Sequence, residues 1–203
     1  MNMKRVLSAL ALLVAIVQPG LNKCAAQYQN THVGVVSTCD YTGSVTLIGT
    51  IFPNGRETIN LTGVVSFQTI ATSGSADGVA WENLAPVGFS GSGASLTLGQ
   101  IGFQLDGWRT APLSSIVASQ PNASLPATGT LSFYLTVTIA AQPGVVYESM
   151  QPVTESGLIQ VWPHSGAPYN QTNNVDFQDR ARPGITVFSI ISGGAPVSVT
   201  ARN

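Results

Sequence analysis

Few side chains in this sequence have the type and spacing that chemistry requires. A general base for a serine or cysteine nucleophile would have to be His32 or His164, the only two histidines. Neither sits in a spacing that assembles a nucleophile–base–carboxylate set. Gly88, Phe89 and Ser90 begin a nucleophile-elbow pattern, but the fifth position is Ser92 and no helix follows, so the stretch reads as a Gly/Ser loop. Cys39 stands between Thr38 and Asp40, with no cation in its sequence neighbourhood to hold a thiolate. Glycoside hydrolysis needs two carboxylates facing each other across a cleft, and Glu82 beside Trp81 and Asp106 near Trp108 are the first acids to inspect. An acid beside an aromatic is equally the signature of a sugar-binding face. A secreted hydrolase is therefore the third-ranked function.

Metal chemistry is thinly represented. Zinc would need closely spaced Cys and His, which the chain lacks. Asn173, Asp176 and Asp179 lie close together and are weak calcium candidates, but their order does not follow an EF-hand loop. No metal and no cofactor is expected. The aromatics say more. Trp81, Trp108 and Trp162 each border a loop or turn, and Tyr169 extends the set as a candidate ligand contact. Indole offers a broad apolar face with one N–H donor, which suits a sugar ring or a protein partner, although β-proteins also bury tryptophan in their cores.

The elements that must position these residues are strands. In 128–141, Phe133, Leu135, Val137 and Ile139 alternate with Tyr134, Thr136 and Thr138, the period of a strand with one buried face. Similar runs occur at 32–38, 44–52, 57–70, 79–84, 94–105, 145–148, 157–162, 185–191 and 196–201. Pro53, Asn54 and Gly55 make a hairpin turn between the second and third of these runs. Ser192, Gly193 and Gly194 suggest a second hairpin between the last two. Residues 113–119 read as either a helical turn or a strand. The polar connection 164–184 exceeds ordinary loop length, so it is a functional loop or hides a short element. No mature interval carries helical periodicity. The expected fold is a two-sheet antiparallel β-sandwich of about 8–9 strands, with a closed β-barrel as the alternative.

The N-terminus differs from the rest. Lys4 and Arg5 precede the apolar run 6–17, which is too short to span a bilayer as a mature helix and ends at Pro19 and Gly20. Residues 1–26 are expected to be an export signal and 27–203 a single domain. A cut before Cys24 would retain Cys24 and Cys39 as a possible disulfide, whereas a cut after Ala26 leaves Cys39 alone.

After such a cut five arginines face nine acids and no lysine remains, for a net charge of −4. The basic residues do not cluster, which argues against nucleic acid. The 44% apolar content, rich in β-branched residues, argues against disorder. The sequence thus points to a secreted protein, extracellular or periplasmic, without a mature transmembrane segment. Its expected role is non-catalytic: a structural or interaction protein that binds a protein partner or self-associates through sheet edges that no lysine guards. The alternative is a carbohydrate- or lipid-binding module working through its tryptophans.

Overall fold

The computed structural model describes residues 33–74, 80–120, 125–160, 167–193 and 195–202. Residues 1–26, expected to be an export signal and including Cys24, together with His32, His164 and Trp162, lie outside these residues. Among the described residues no helix is long and apolar enough to cross a membrane.

The chain forms thirteen strands: β1 (Val36–Gly49), β2 (Arg56–Gly74), β3 (Ala80–Ser95), β4 (Gly99–Leu105), β5 (Ser114–Ala118), β6 (Ala127–Phe133) and β7 (Leu135–Ile139), followed by β8 (Val146–Ser149), β9 (Val153–Ile159), β10 (Ala167–Gln171), β11 (Val175–Asp179), β12 (Arg182–Ile190) and β13 (Val197–Ala201). They belong to one antiparallel sheet in the order β12-β11-β8-β7-β4-β3-β2-β1-β13-β10-β9-β6-β5. The all-β, antiparallel expectation holds. The expected two-sheet sandwich of about 8–9 strands is not what the pairings give, since they join thirteen strands in one sheet.

Two further ladders, β12 with β1 and β3 with β5, join strands that are distant in that order. The pairings therefore trace two closed circuits of eight strands each. The first runs β1-β2-β3-β4-β7-β8-β11-β12, the second β1-β2-β3-β5-β6-β9-β10-β13, and β1, β2 and β3 serve both. These three are the long strands of the molecule because each must cross from one circuit to the other. On β1, residues 39–42 pair with β13 and 47–49 with β12. On β3, residues 81–84 pair with β5 and 90–95 with β4. Where partners change, the backbones come very close. Gly63 stands opposite Gly91, and a Cβ on Gly63 would fall 2.5 Å from the Gly91 Cα. Side chains at this crossing would force the strands apart.

Several sequence expectations shift accordingly. The Gly/Ser stretch 88–93 lies within β3 rather than in a loop; a Cβ on Gly93 would fall 2.5 Å from the Asn60 carbonyl oxygen, whereas Gly88 has room for one. The central run 128–141 keeps its predicted face, with Phe133, Leu135, Val137 and Ile139 buried, but it breaks at Tyr134. Before the break, β6 pairs with β5 and β9 in the second circuit; after it, β7 pairs with β4 and β8 in the first. The connection 164–184 conceals β10 and β11. The expected terminal hairpin is replaced by another arrangement: β12 and β13 lie end to end along the same edge of β1, one in each circuit.

The two interiors share one continuous core of alternating buried residues. In the first circuit Phe177 stacks on Phe188 at 4.8 Å, and Phe52 and Tyr147 meet Phe188 edge-on. In the second, Phe89 stacks on Phe133 and meets Tyr41 edge-on, both at 5.2 Å. Burying such rings contributes on the order of 2–3 kcal/mol each before entropy is counted.

Candidate functional site

Trp108 is the most prominent of the predicted site residues. It lies in the loop after β4 and is 91% exposed. The loop around it is anchored. Asp106 is buried, its N–H donates to the Tyr134 carbonyl at 2.8 Å, and its Oδ1 accepts the Trp108 N–H at 3.2 Å. On the other side, the Arg109 guanidinium donates to the carbonyls of Ser149 and Met150 and lies 3.9 Å above the Tyr134 ring. With its backbone held between two fixed neighbours, the indole has only its own rotamers to order when it meets a ligand.

A charged network adjoins this loop. Arg180 donates from Nε to Glu148 Oε2 at 3.0 Å, and its NH2 reaches Asp106 Oδ1 at 3.6 Å. Gln178 donates to the other Glu148 oxygen at 2.9 Å. Glu148 alternates with the buried Tyr147 and Ser149, so it faces away from the core. The Gln178 hydrogen bond, assisted by Arg180, holds its carboxyl below the usual range despite partial desolvation. A glycosidase general acid needs the opposite displacement. The network orients side chains and does not store a proton near neutral pH.

Beside the network a shallow groove of ≈300 Å³ passes over Gly102, Thr138 and Val146, walled by Gln100, Gln142 and Pro143. Gly102 faces Thr138 across the β4–β7 ladder, and its missing side chain leaves the floor low. Thr136, the next outward residue on β7, pairs with Glu148, so groove and network are neighbours on the same face.

The other candidates lie elsewhere. Trp81 is half-buried at the start of β3, opposite β5 in the second circuit, and does not share a patch with Trp108. Tyr169 is 1% exposed. Its ring lies across Gly129 and Gly157, which face each other on β6 and β9; a Cβ on either would strike that ring. It fills the core and offers no face to a ligand. Glu82 and Asp106 are not brought together. Glu82 is buried in the second circuit, accepting a hydrogen bond from Thr69, and burial raises its carboxyl above the usual range.

The three weak calcium candidates are committed to the fold. Asn173 accepts the Thr154 N–H at 3.0 Å and donates to the Pro152 carbonyl at 2.8 Å. Asp176 accepts from Ser189, while Asp179 accepts the Ala181 N–H and pairs with Arg182, both at 2.9 Å. Among the described residues no three of His, Cys, Asp and Glu group as metal ligands would. Cys39 is buried in the second circuit.

Sequence reasoning missed Glu155. This residue, in β9, is 2% exposed and takes a 2.6 Å hydrogen bond from the Tyr41 hydroxyl on its Oε1. β13 and β10 separate β9 from β1 in the strand order, so the bond spans the interior of the second circuit. Desolvation raises the Glu155 carboxyl to about 7, with the Tyr41 hydrogen bond opposing. Burial and the neighbouring carboxyl raise Tyr41 well above the ordinary phenol value. The only sequence signal was an acid at an inward position between Val153 and Gly157.

One solved structure resembles the chain throughout: DynF from the dynemicin biosynthesis pathway of Micromonospora chersina, with a TM-score of 0.68 and 14% identity over 90% of this chain and 90% of that chain. The likeness is one of fold. No family model matches the chain, and no curated protein does.

Proposed function

We propose that this chain is an exported, non-catalytic carbohydrate-binding protein built as two closed β-barrels that share β1–β3, with Trp108 as its stacking platform. The observation that carries this reading is the 91% exposure of Trp108 between two anchored neighbours. An indole of this kind stacks on a sugar ring, and the separate groove over Gly102 and Thr138, at the far end of the β4–β7 ladder, offers polar side chains to a longer chain of sugars. Export rests on the N-terminal Lys4, Arg5 and apolar run. The ionised Glu148–Arg180 pair favours binding over bond-breaking. Self-association through free edges has less support, because β12 and β5, the two ends of the strand order, each take a further partner.

The test is a neutral-glycan panel read by calorimetry against wild type, Trp108→Phe and Trp108→Ala. The alanine variant is expected to weaken binding at least roughly tenfold at unchanged melting temperature, with phenylalanine retaining most of it. No binding by wild type, or equal binding by Trp108→Ala, would sink the proposal.

A further inference from the structure

The buried polar centre of the second circuit is independent of the Trp108 surface. Glu155 Oε1 is satisfied by Tyr41, but Oε2 is fully buried and has no hydrogen-bond partner among the described residues. Beside it lies a cavity of ≈10 Å³, lined by Ser44, Val45, Glu155, Tyr169, Gln171 and Val197, among others. That volume is at the lower limit for one water molecule and too small for any larger ligand. An ionised carboxylate in such surroundings needs more than one donor, whereas a neutral carboxyl is far cheaper to bury.

We infer that Glu155 is a proton-operated latch across the second circuit. With the carboxyl neutral, its bond to Tyr41 ties β9 to β1 across the interior. When it ionises, the bond from Tyr41 strengthens but the charge is left in a dry interior; a water molecule enters the neighbouring cavity to donate to Oε2, and the cost of burying the carboxylate opens the β1–β9 region while the first circuit stays closed.

Among the described residues the groups facing Glu155 are few, with the buried Cys39 thiol of β1 next to Tyr169 as a further titratable neighbour. Tyr41 comes from β1 and Tyr169 from β10, and Gln171 of β10 and Ser44 of β1 line the same cavity. Both tyrosines are raised by burial and stay neutral through the physiological range. The second acid of this interior, Glu82, is bound to Thr69 and does not act on Glu155. Among the described residues no charged partner therefore offsets the carboxylate once it forms.

The test is residue-resolved amide hydrogen exchange on the processed wild type, Glu155→Gln and Tyr41→Phe from pH 4.5 to 8.5, corrected for intrinsic exchange. Amides of β1 residues 39–42 and of β9 should show opening constants that rise about tenfold per pH unit between about pH 5 and 7, then level off. Amides of β7 and β11 should not follow them. Glu155→Gln should flatten the dependence, and Tyr41→Phe should raise opening at low pH. A carboxyl titrating near 4.5 by carbon NMR would overturn the latch. So would an equal rise in both circuits, or an unchanged slope in Glu155→Gln.

Discussion

In the first circuit Phe52, Tyr147, Phe177 and Phe188 form an unbroken series of ring contacts, while the second surrounds Phe89 and Phe133 with Tyr41, Thr69, Glu82 and Glu155. The two circuits have the same strand count and share three strands, yet their interiors follow different physics. Ring packing stabilises the first at any pH, and its buried acids, Asp106 and Asp179, are each paired with an arginine. The second also buries the carboxyls of Glu82 and Glu155, and the cost of holding them out of water depends on their protons. The exposed Trp108 is carried by the circuit with the rigid, aromatic interior, where a fixed presentation is easiest to maintain.

This contrast can be broken by substitution. The largest effect is expected from Phe188→Ala, because Phe188 touches three other rings, Phe52, Tyr147 and Phe177; a loss of about 3–5 kcal/mol, independent of pH, should appear in chemical denaturation. Next is the pH response of the wild type. The folded Glu155 carboxyl titrates at about 7, above its ordinary value of 4.5. The native state thus holds a proton that the unfolded chain releases first. Its contribution is fully present below about pH 4.5 and is lost as pH rises through 7, a change of about 3 kcal/mol that Glu155→Gln should abolish.

A smaller cost is expected for Gly129→Ala, whose new methyl would strike the Tyr169 hydroxyl. A loss of about 1–3 kcal/mol should follow, partly relieved by adding Tyr169→Phe, which removes the struck oxygen. Gly157→Ala should resist that rescue, since its methyl also meets the Pro168 backbone carbonyl. The smallest effect on stability is that of Trp108→Ala, within about 0.5 kcal/mol, because the indole touches almost nothing.

The legible part of the fold was local. Alternation in 128–141 identified the buried face correctly, and Pro53-Asn54-Gly55 marked the β1–β2 turn, where Gly55 adopts a positive φ of 70°. The crossing of β3 was not legible, because glycine and serine at 88–93 signal a loop whenever the neighbouring strand is unknown. β10 escaped because Pro168 sits inside it, and only Ala167 and Tyr169 of its five residues point inward. Of the site, Trp108 was legible as a loop-edge aromatic. Its anchoring by Arg109 and Tyr134 depends on a long-range pairing that no local pattern encodes. Tyr169 was misread for the complementary reason: the glycines that receive its ring lie on two other strands. Glu155 looked like one acid among nine until the opposing Tyr41 became visible.

Closure of both circuits is the claim on which these contrasts rest, and paired cysteines test it most directly. Ile48→Cys with Ser189→Cys spans the β1–β12 ladder, and Asn83→Cys with Ser115→Cys spans β3–β5. Directly opposed strand residues approach disulfide geometry. Mass spectrometry after mild oxidation should find both engineered bridges formed at high yield, each in a protein with the wild-type circular dichroism spectrum. Failure of either pair to bridge in a folded protein would mean that its circuit is open, and the account would be contradicted.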